Sequence, residues 1–367
     1  MSDSKTSAPS KPVKKEQPLL YISSSPHIAS PVVTRILMQR VLFALAPVSI
    51  FGIFLYGVPA LLTILVSIVS AELAEALFRK ITRQNIRNRD LSAAVTGLLL
   101  ALVLPPGVPL WMIALGAFFA IIAAKEFFGG LGANVFNPAL VGRAFLLMSF
   151  PVAVTTWAVP RGIFFSSFGV TDALSAATAM DAVSSATPLG IINLGNSVAD
   201  VGAGLAAAGL AWSSDYWPTM GSLFLGFRGG CIGESSILLI IAGFIYLLAT
   251  GTIDWRAPVS MVVSVFVFSF LFGRDPLFAL LSGGVLFGAV FMVTDYVSAP
   301  ITAKGKLIFG FGAGLISVLI RQWGNYPEGV TYGILIMNAV TPFLNRLLQK
   351  KYGYVKPQRT TVKGGEK

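Results

Sequence analysis

The residues of this 367-residue chain that are most able to carry out chemistry have hydroxyl, amide and carboxyl side chains. The first is Thr187, which ends the run Asp181-Ala182-Val183-Ser184-Ser185-Ala186-Thr187 and precedes Pro188. A Thr followed by Pro is a common helix start, with the Thr as N-cap. A cap requires neither the small residues around Thr187 nor the Asp six positions earlier. The small residues leave room for a bulky group on an exposed hydroxyl. Both interpretations stay open on these residues alone.

Three carboxylates form the second group of candidates. Glu126 and Asp295 occupy matching positions at the ends of two similar apolar segments, and Glu234 begins another apolar segment. Ionisable groups inside a membrane are costly and suggest a function, here an ion path. All three also lie near segment ends, where a position at the membrane surface is the alternative, and Lys125 is a neighbouring partner for Glu126.

The composition of the chain indicates the class of protein that holds these residues. The chain is 55% hydrophobic and 12% charged, whereas soluble domains carry about 25% charged residues. We therefore predict an all-α integral membrane protein. One Cys and one His exclude iron–sulfur clusters held by this chain alone, bis-His haem and disulfides, and we predict no metal site. A redox cofactor would be organic or shared with another subunit.

Ten segments are long and apolar enough to be predicted as transmembrane helices. They are 38–57, 59–78, 91–106, 109–128, 138–156, 233–250, 256–273, 276–295, 306–321 and 329–347, and 216–230 is a possible short re-entrant helix. With the N-terminus in the cytoplasm, all but four of the 27 Lys and Arg residues fall on the cytoplasmic side, the exceptions being Arg161, Arg228, Arg274 and Arg321. This topology places both termini in the cytoplasm and the loop carrying Thr187 outside.

The net charge of +11 therefore indicates topology and contact with anionic lipid, and we predict no nucleic-acid partner. We divide the chain into a cytoplasmic tail (1–37), a first membrane repeat (38–156), an external loop with a short re-entrant segment (157–232), a second repeat (233–347) and a second cytoplasmic tail (348–367).

The segments 109–138 and 276–305 support this division. Both begin with Pro-Leu-aromatic, pass through a Gly-containing apolar stretch to an acidic–aromatic pair, and end in a segment broken by Gly and Pro. We predict two inverted five-helix repeats. Non-helical backbone at membrane depth is tolerated where protein buries it or it lines a cavity, so 129–138 and 297–306 are candidate ligand or ion sites. A tight turn between helices is the alternative for 129–138.

Four stretches of this sequence resemble a known family. They are "KEFFGGLGANVFNPALVGRAF" (125–145), "FRGGCIGESS" (227–236), "TDYVSAPITAKGKLIFG" (294–310) and "YPEGVTYGILIMNAVTPFLNR" (326–346). They are similar to the family of the D subunits of Rnf complexes, which are ion-translocating ferredoxin:NAD⁺ oxidoreductases. The B subunits of Na⁺-translocating NADH:quinone reductases are relatives. The resemblance covers nearly the whole chain beyond about residue 20.

The resemblance implies two flavins. Asp181 to Thr187 is similar to the D-x-x-[ST]-G-A-[ST] signal at which a flavin transferase joins FMN to Thr through a phosphoester, with Ser185 replacing the Gly. The resemblance also implies a non-covalent riboflavin near the first broken segment, with Asn134 and Asn137 matching its contacting Asn pair. Two Asn offer donors and acceptors to the polar edge of an isoalloxazine. Helix capping is the alternative role for both Asn residues.

The resemblance further implies a role in a bacterial inner-membrane complex. The expected partners are the A, B, C, E and G subunits of Rnf, membrane lipids, and the flavin transferase during maturation. The chain would relay electrons in an oxidoreductase, with the NAD and ferredoxin sites on other subunits and no catalytic residue of its own. The alternatives are a quinone-reductase B-type subunit and a passive inverted-repeat channel or transporter for a small solute.

Overall fold

A computed structural model describes residues 33–84, 90–157, 216–226, 229–324 and 329–348. In these ranges all regular structure is helical and there is no strand. The first half contains α1 (Thr34–Tyr56), α2 (Val58–Ile81), α3 (Ser92–Leu102), α4 (Leu110–Ala124), α5 (Pro138–Ser149) and α6 (Pro151–Thr155). The second half contains α7 (Tyr216–Leu225), α8 (Ile237–Ala249), α9 (Arg256–Leu271), α10 (Pro276–Leu281), α11 (Val285–Phe287), α12 (Ala303–Trp323) and α13 (Val330–Leu348).

Each of the ten predicted segments coincides with helix, but the boundaries differ. Among the residues that the structure describes, four helical stretches are long and apolar enough to cross a membrane: Thr34–Tyr56, Val58–Ile81, Leu110–Phe128 and Ala303–Trp323. The segment 276–295 is not one helix, because α10 ends at Leu281 and α11 continues into a π-helical turn, Gly288–Met292. The segment 91–106 is helical only to Leu102.

The surface of α2 shows why this is a membrane protein. A stripe of large apolar side chains at four-residue spacing is exposed, namely Leu61, Leu65, Val69, Leu73 and Leu77. The opposite face, which packs against α3 and α4, buries small residues such as Ala60, Ser67, Ala71 and Ala74. Large apolar side chains exposed on one face and small residues at the helix contacts are typical of a helix that lies in lipid rather than in water.

The backbones of α9 and α12 lie close together where the two helices pack. The hydroxyl of Ser260 donates to the carbonyl of Leu307 at 2.6 Å, and that of Ser264 donates to the carbonyl of Phe311 at 2.8 Å. A Cβ added at Gly310 would clash with the carbonyl oxygen of Ala257. Glycine thus allows the backbone approach that the serine hydrogen bonds require.

We expect Gly310→Leu to destabilise the protein by about 1–3 kcal/mol, because the extra atoms force the two helices apart. The midpoint of thermal unfolding in detergent measures the effect. Gly221→Ala is the matched control, because a Cβ at Gly221 meets nothing within 4 Å. Equal midpoints for both variants would contradict close packing at Gly310.

Candidate functional site

The first broken segment, 129–138, meets residues of the second half at one cavity. Its walls include Leu131, Asn134, Asn137 and Pro138 from the first half, and Phe291, Thr294, Asp295, Tyr296 and Val297 from the second. The remaining wall comes from α1, α3 and the ends of α4 and α8, namely Met38, Val41, Ser92, Val95, Thr96, Leu99, Lys125, Leu247 and Ile253. Much of the predicted segment 129–138 therefore lies at this cavity, whereas 297–306 contributes only its first residue.

Asn137 and Asn134 have different roles. Asn137 is the N-cap of α5, where its side-chain oxygen accepts from the amides of Ala139 at 3.1 Å and Leu140 at 3.4 Å. The capping interpretation is therefore correct for Asn137, although the residue also lines the cavity. Asn134 donates through Nδ2 to the carbonyl of Phe136 at 3.1 Å.

The Oδ1 atom of Asn134 is the unusual group at this site. It is buried and accepts no hydrogen bond within the described structure, and the residue is only 5% exposed. Leaving a buried acceptor without a donor costs about 1–3 kcal/mol. A ligand with an N–H group in the cavity would remove that cost.

The side chains that line the cavity suit an isoalloxazine, but the volume of the cavity is too small for one. Apolar walls from Met38, Leu99 and Phe291 suit flat ring faces, and Asn134 suits an imide N–H. The cavity measures about 70 Å³, enough for roughly five waters but smaller than a three-ring system. The described cavity is therefore too small to hold an isoalloxazine ring.

A buried ion-pair network extends from one wall of the cavity. The Lys125 ammonium contacts Glu75 Oε2 at 2.7 Å, and the Arg79 guanidinium lies 2.9 Å from Glu75 Oε1 and 3.2 Å from Glu126 Oε1. All four side chains are at most 6% exposed. Two cations and two carboxylates balance, which is the condition under which such groups are tolerated inside a membrane protein.

This network corrects the expected pairing of Lys125 with its neighbour Glu126. Lys125 pairs with Glu75 on α2, and Glu126 pairs with Arg79 one helical turn further on. Consecutive residues at the end of α4 point in different directions, so adjacency in sequence does not make them partners. The sequence does carry a signal for the true partner, because Glu75 is a carboxylate within the apolar segment 59–78.

The other two carboxylates are also placed by the structure. Glu234 lies in a 3₁₀ turn, Ile232–Glu234, with its Oε1 atom 3.6 Å from Arg143 NH1 on α5, and both side chains are buried. Asp295 lines the cavity and accepts a 2.7 Å hydrogen bond from the hydroxyl of Ser298. Asp295 is therefore the carboxylate of the three that reaches the candidate ligand site.

The Thr187 motif lies outside the described residues. This applies to Asp181, Ser184, Ser185, Ala186 and Thr187, so their predicted roles stay predictions.

Asp254 lies in the α8–α9 connection next to the cavity residue Ile253, and its carboxylate pairs with Lys306 on α12. Desolvation raises the pKa of its carboxyl, but the amide of Arg256 and the Lys306 ammonium, 3.1 Å away, more than offset this and hold the pKa below its usual value. A lowered pKa means that the stabilisation is present above the unfolded-state pKa and is lost as pH falls through the folded one.

We accordingly expect wild type to be more stable than Asp254→Asn at pH 7, by less than about 1 kcal/mol because the pair is partly exposed. The difference should begin to shrink as pH falls past the ordinary pKa of Asp, near 4, and should vanish only below the lowered pKa of the folded state. Thermal unfolding midpoints of both proteins across acidic to neutral pH measure it. A difference that does not shrink as pH falls would contradict the assignment.

Comparison with known proteins covers almost the whole chain. A family model described as the NQR2, RnfD, RnfE family matches residues 21–353. The D subunit of the proton-translocating ferredoxin:NAD(+) oxidoreductase complex of Clostridium ljungdahlii is 41% identical over 347 residues, covering 91% of this chain and 96% of the relative. The D subunit of the Na(+)-translocating ferredoxin:NAD(+) oxidoreductase complex of Acetobacterium woodii is 39% identical, with coverages of 92% and 96%. The D subunit of an ion-translocating oxidoreductase complex from Stutzerimonas stutzeri is 38% identical, with coverages of 86% and 91%.

Proposed function

Because this chain belongs to the NQR2, RnfD, RnfE family, we propose that it is the D subunit of an Rnf-type complex in a bacterial inner membrane. Such a complex couples electron transfer between ferredoxin and NAD to ion translocation. The observation that carries the proposal is similarity to relatives named as D subunits over about nine tenths of the chain. The partners would be the A, B, C, E and G subunits of Rnf, which would hold the NAD and ferredoxin sites.

The topology that we propose has ten spans, with both termini in the cytoplasm and Thr187 in the periplasm. Five spans lie on each side of the 157–232 loop, and an odd number makes the second half begin on the opposite side, so the halves are inverted. The similar segments 109–138 and 276–305 lie on the fourth and eighth spans, which run in the same direction and do not support inversion. Inversion is supported by the third span of each half, 91–106 and 276–295, which run in opposite directions in this topology. The first contains the short helix α3, and the second is broken between α10 and α11.

We also propose that the subunit carries FMN on Thr187 through a phosphoester, attached by a flavin transferase, and riboflavin in the cavity. The motif from Asp181 to Thr187 supports the first proposal, and the unpartnered Oδ1 of Asn134 supports the second. When bound, these flavins supply the one- and two-electron chemistry that no side chain here provides.

The test of this function is mass spectrometry on the peptide that contains Thr187. In the complex purified from its native membrane, we expect that peptide to be heavier by FMN minus water. An unmodified peptide at high occupancy would reject the covalent flavin. A passive channel would carry no flavin, and a quinone-reductase B-type subunit would be found in a complex that reduces quinone.

For the cavity flavin, we expect Asn134→Leu to lower the affinity for riboflavin about tenfold or more, because the imide N–H loses its acceptor. Riboflavin extracted per polypeptide from the purified complex measures this. Asn338→Leu is the matched control, since Asn338 is also fully buried with an unpartnered amide but does not line the cavity. Equal losses in both variants would contradict a specific role for Asn134.

A further inference from the structure

The N-terminal ends of α9 and α12 lie side by side. Both serine hydrogen bonds between these helices join residues that are 47 positions apart in the chain. A constant separation means that the two helices run parallel. Their first residues, Arg256 and Ala303, have the same separation, so the two N-termini lie together at one end of the helix pair. In the proposed topology this end faces the cytoplasm.

Three cations are placed at these two N-termini. Arg256 is the first residue of α9, and Lys304 and Lys306 are among the first four residues of α12. One carboxylate, Asp254, lies 2.8 Å from the Arg256 guanidinium and 3.1 Å from the Lys306 ammonium. Lys304 is exposed and has no salt-bridge partner among the described residues. These four side chains therefore carry an excess of two positive charges.

These cations occupy unfavourable positions for the helices themselves. The N-terminus of a helix carries about half a positive elementary charge, which stabilises anions and destabilises cations. Neither α9 nor α12 has an acidic residue in its first turn. Two positive helix ends and two excess cations together favour an anion that the described part of the chain does not supply.

An exposed apolar stripe on α9 leads away from this charged end. It consists of Val259, Val263, Phe266 and Phe270, which follow one another at spacings of three or four residues. At 1.5 Å per residue the stripe is about 16 Å long, close to half of the roughly 30 Å hydrocarbon core of a bilayer. The exposed α12 residues Leu307 and Phe311 lie where α12 packs on α9. The apolar surface thus matches the length of one leaflet.

The size of the exposed side chains favours lipid over a helix of another subunit. Contacts between membrane helices use small residues, and the small residues Ser260, Ser264 and Gly310 are already used between α9 and α12. At the charged end of the stripe, Trp255 is half exposed and the Arg256 guanidinium lies 5.6 Å from its ring centre. An exposed Trp beside a cation is typical of the headgroup level of a membrane.

We propose that the N-terminal ends of α9 and α12 bind an anionic phospholipid. The headgroup phosphate lies beside Arg256, Lys304 and Lys306, and one acyl chain lies along the α9 stripe. A zwitterionic lipid binds less well, because its own ammonium group meets the excess of cations. Each Lys or Arg near an anionic lipid favours binding about fivefold. This site goes beyond the proposed function and depends on neither flavin.

Three variants separate a specific site from general surface charge. Lys304→Gln removes a cation without breaking a described ion pair. Lys80→Gln is the matched control, because Lys80 is also exposed but lies in the last turn of α2, where the helix dipole favours a cation. Asp254→Asn acts in the opposite direction, since it removes the carboxylate that competes with the lipid for Arg256 and Lys306.

The experiment places the purified complex in nanodiscs of phosphatidylcholine with a trace of photoactivatable phospholipid. The reactive diazirine is in the acyl chain, and the probe carries either a phosphatidylglycerol or a phosphatidylcholine headgroup. Mass spectrometry after irradiation quantifies labelling of the peptides that contain the α9 stripe. In wild type we expect the phosphatidylglycerol probe to label them at least about five times as strongly as the phosphatidylcholine probe. This ratio should fall about fivefold in Lys304→Gln, stay unchanged in Lys80→Gln and rise in Asp254→Asn.

Three results would overturn the proposal. Equal labelling by the two probes in wild type would show that the headgroup is not recognised. Equal losses in Lys304→Gln and Lys80→Gln would show an effect of general surface charge. Labelling of the exposed α2 stripe without labelling of the α9 stripe would show that another subunit covers α9. Each readout is independent of flavin content, so the lipid site can fail while the proposed function stands.

Discussion

Replacing Thr187 with Ala is expected to remove all covalent flavin from this polypeptide. A phosphoester needs a hydroxyl oxygen as the acceptor of the FMN phosphoryl group, and Ala offers none. In a denaturing gel under ultraviolet light, the wild-type band should fluoresce and the Thr187→Ala band should be dark. Electron transfer through the complex should fall to a small residue of its wild-type rate, because the carrier is missing from the chain.

Neighbouring hydroxyl residues provide the controls for Thr187. Thr178→Ala removes a threonine nine positions earlier, outside the motif, and should leave fluorescence unchanged. Asp181→Ala should reduce fluorescence although Thr187 is present, because the related signal D-x-x-[ST]-G-A-[ST] begins with an acidic residue. A fluorescent Thr187→Ala band would show that the flavin is attached elsewhere, with Ser184 and Ser185 as the nearest acceptors.

Replacing Glu75 with Gln is expected to cost about 3–5 kcal/mol of stability. Glu75 is fully buried and faces both the Lys125 ammonium and the Arg79 guanidinium. Its neutralisation leaves two buried cations against one carboxylate, Glu126, and the loss of one charge in a dry cluster is much larger than the loss of a surface pair. The thermal unfolding midpoint of the purified protein in detergent measures the change.

A double variant separates charge imbalance from loss of packing. Glu75→Gln combined with Lys125→Met removes one charge of each sign and leaves the Arg79–Glu126 pair. We expect the double variant to be more stable than the sum of the two single losses predicts, because residues in one network are coupled. Strict additivity would show that the four groups act independently and would contradict the network.

Much of this protein follows from its sequence because lipid imposes strong local rules. An apolar stretch must be helical where no water can satisfy its backbone, so each of the ten segments coincides with helix over part or all of its length. The pattern Asn-Pro places Asn137 at a helix start, and the Gly and Pro residues of 129–138 mark the break that lines the cavity. Resemblance in four stretches identified the family, which the comparisons confirm.

The partners of the buried charges follow only from the tertiary structure. Lys125 is adjacent to Glu126 in the chain, yet it pairs with Glu75, fifty residues away, because the packing of α4 on α2 sets which side chains meet. Asn134 and Asp295 reach one cavity from opposite halves for the same reason. Helix formation depends on residues a few positions apart, which a sequence displays, whereas a site depends on how helices far apart in the chain pack together.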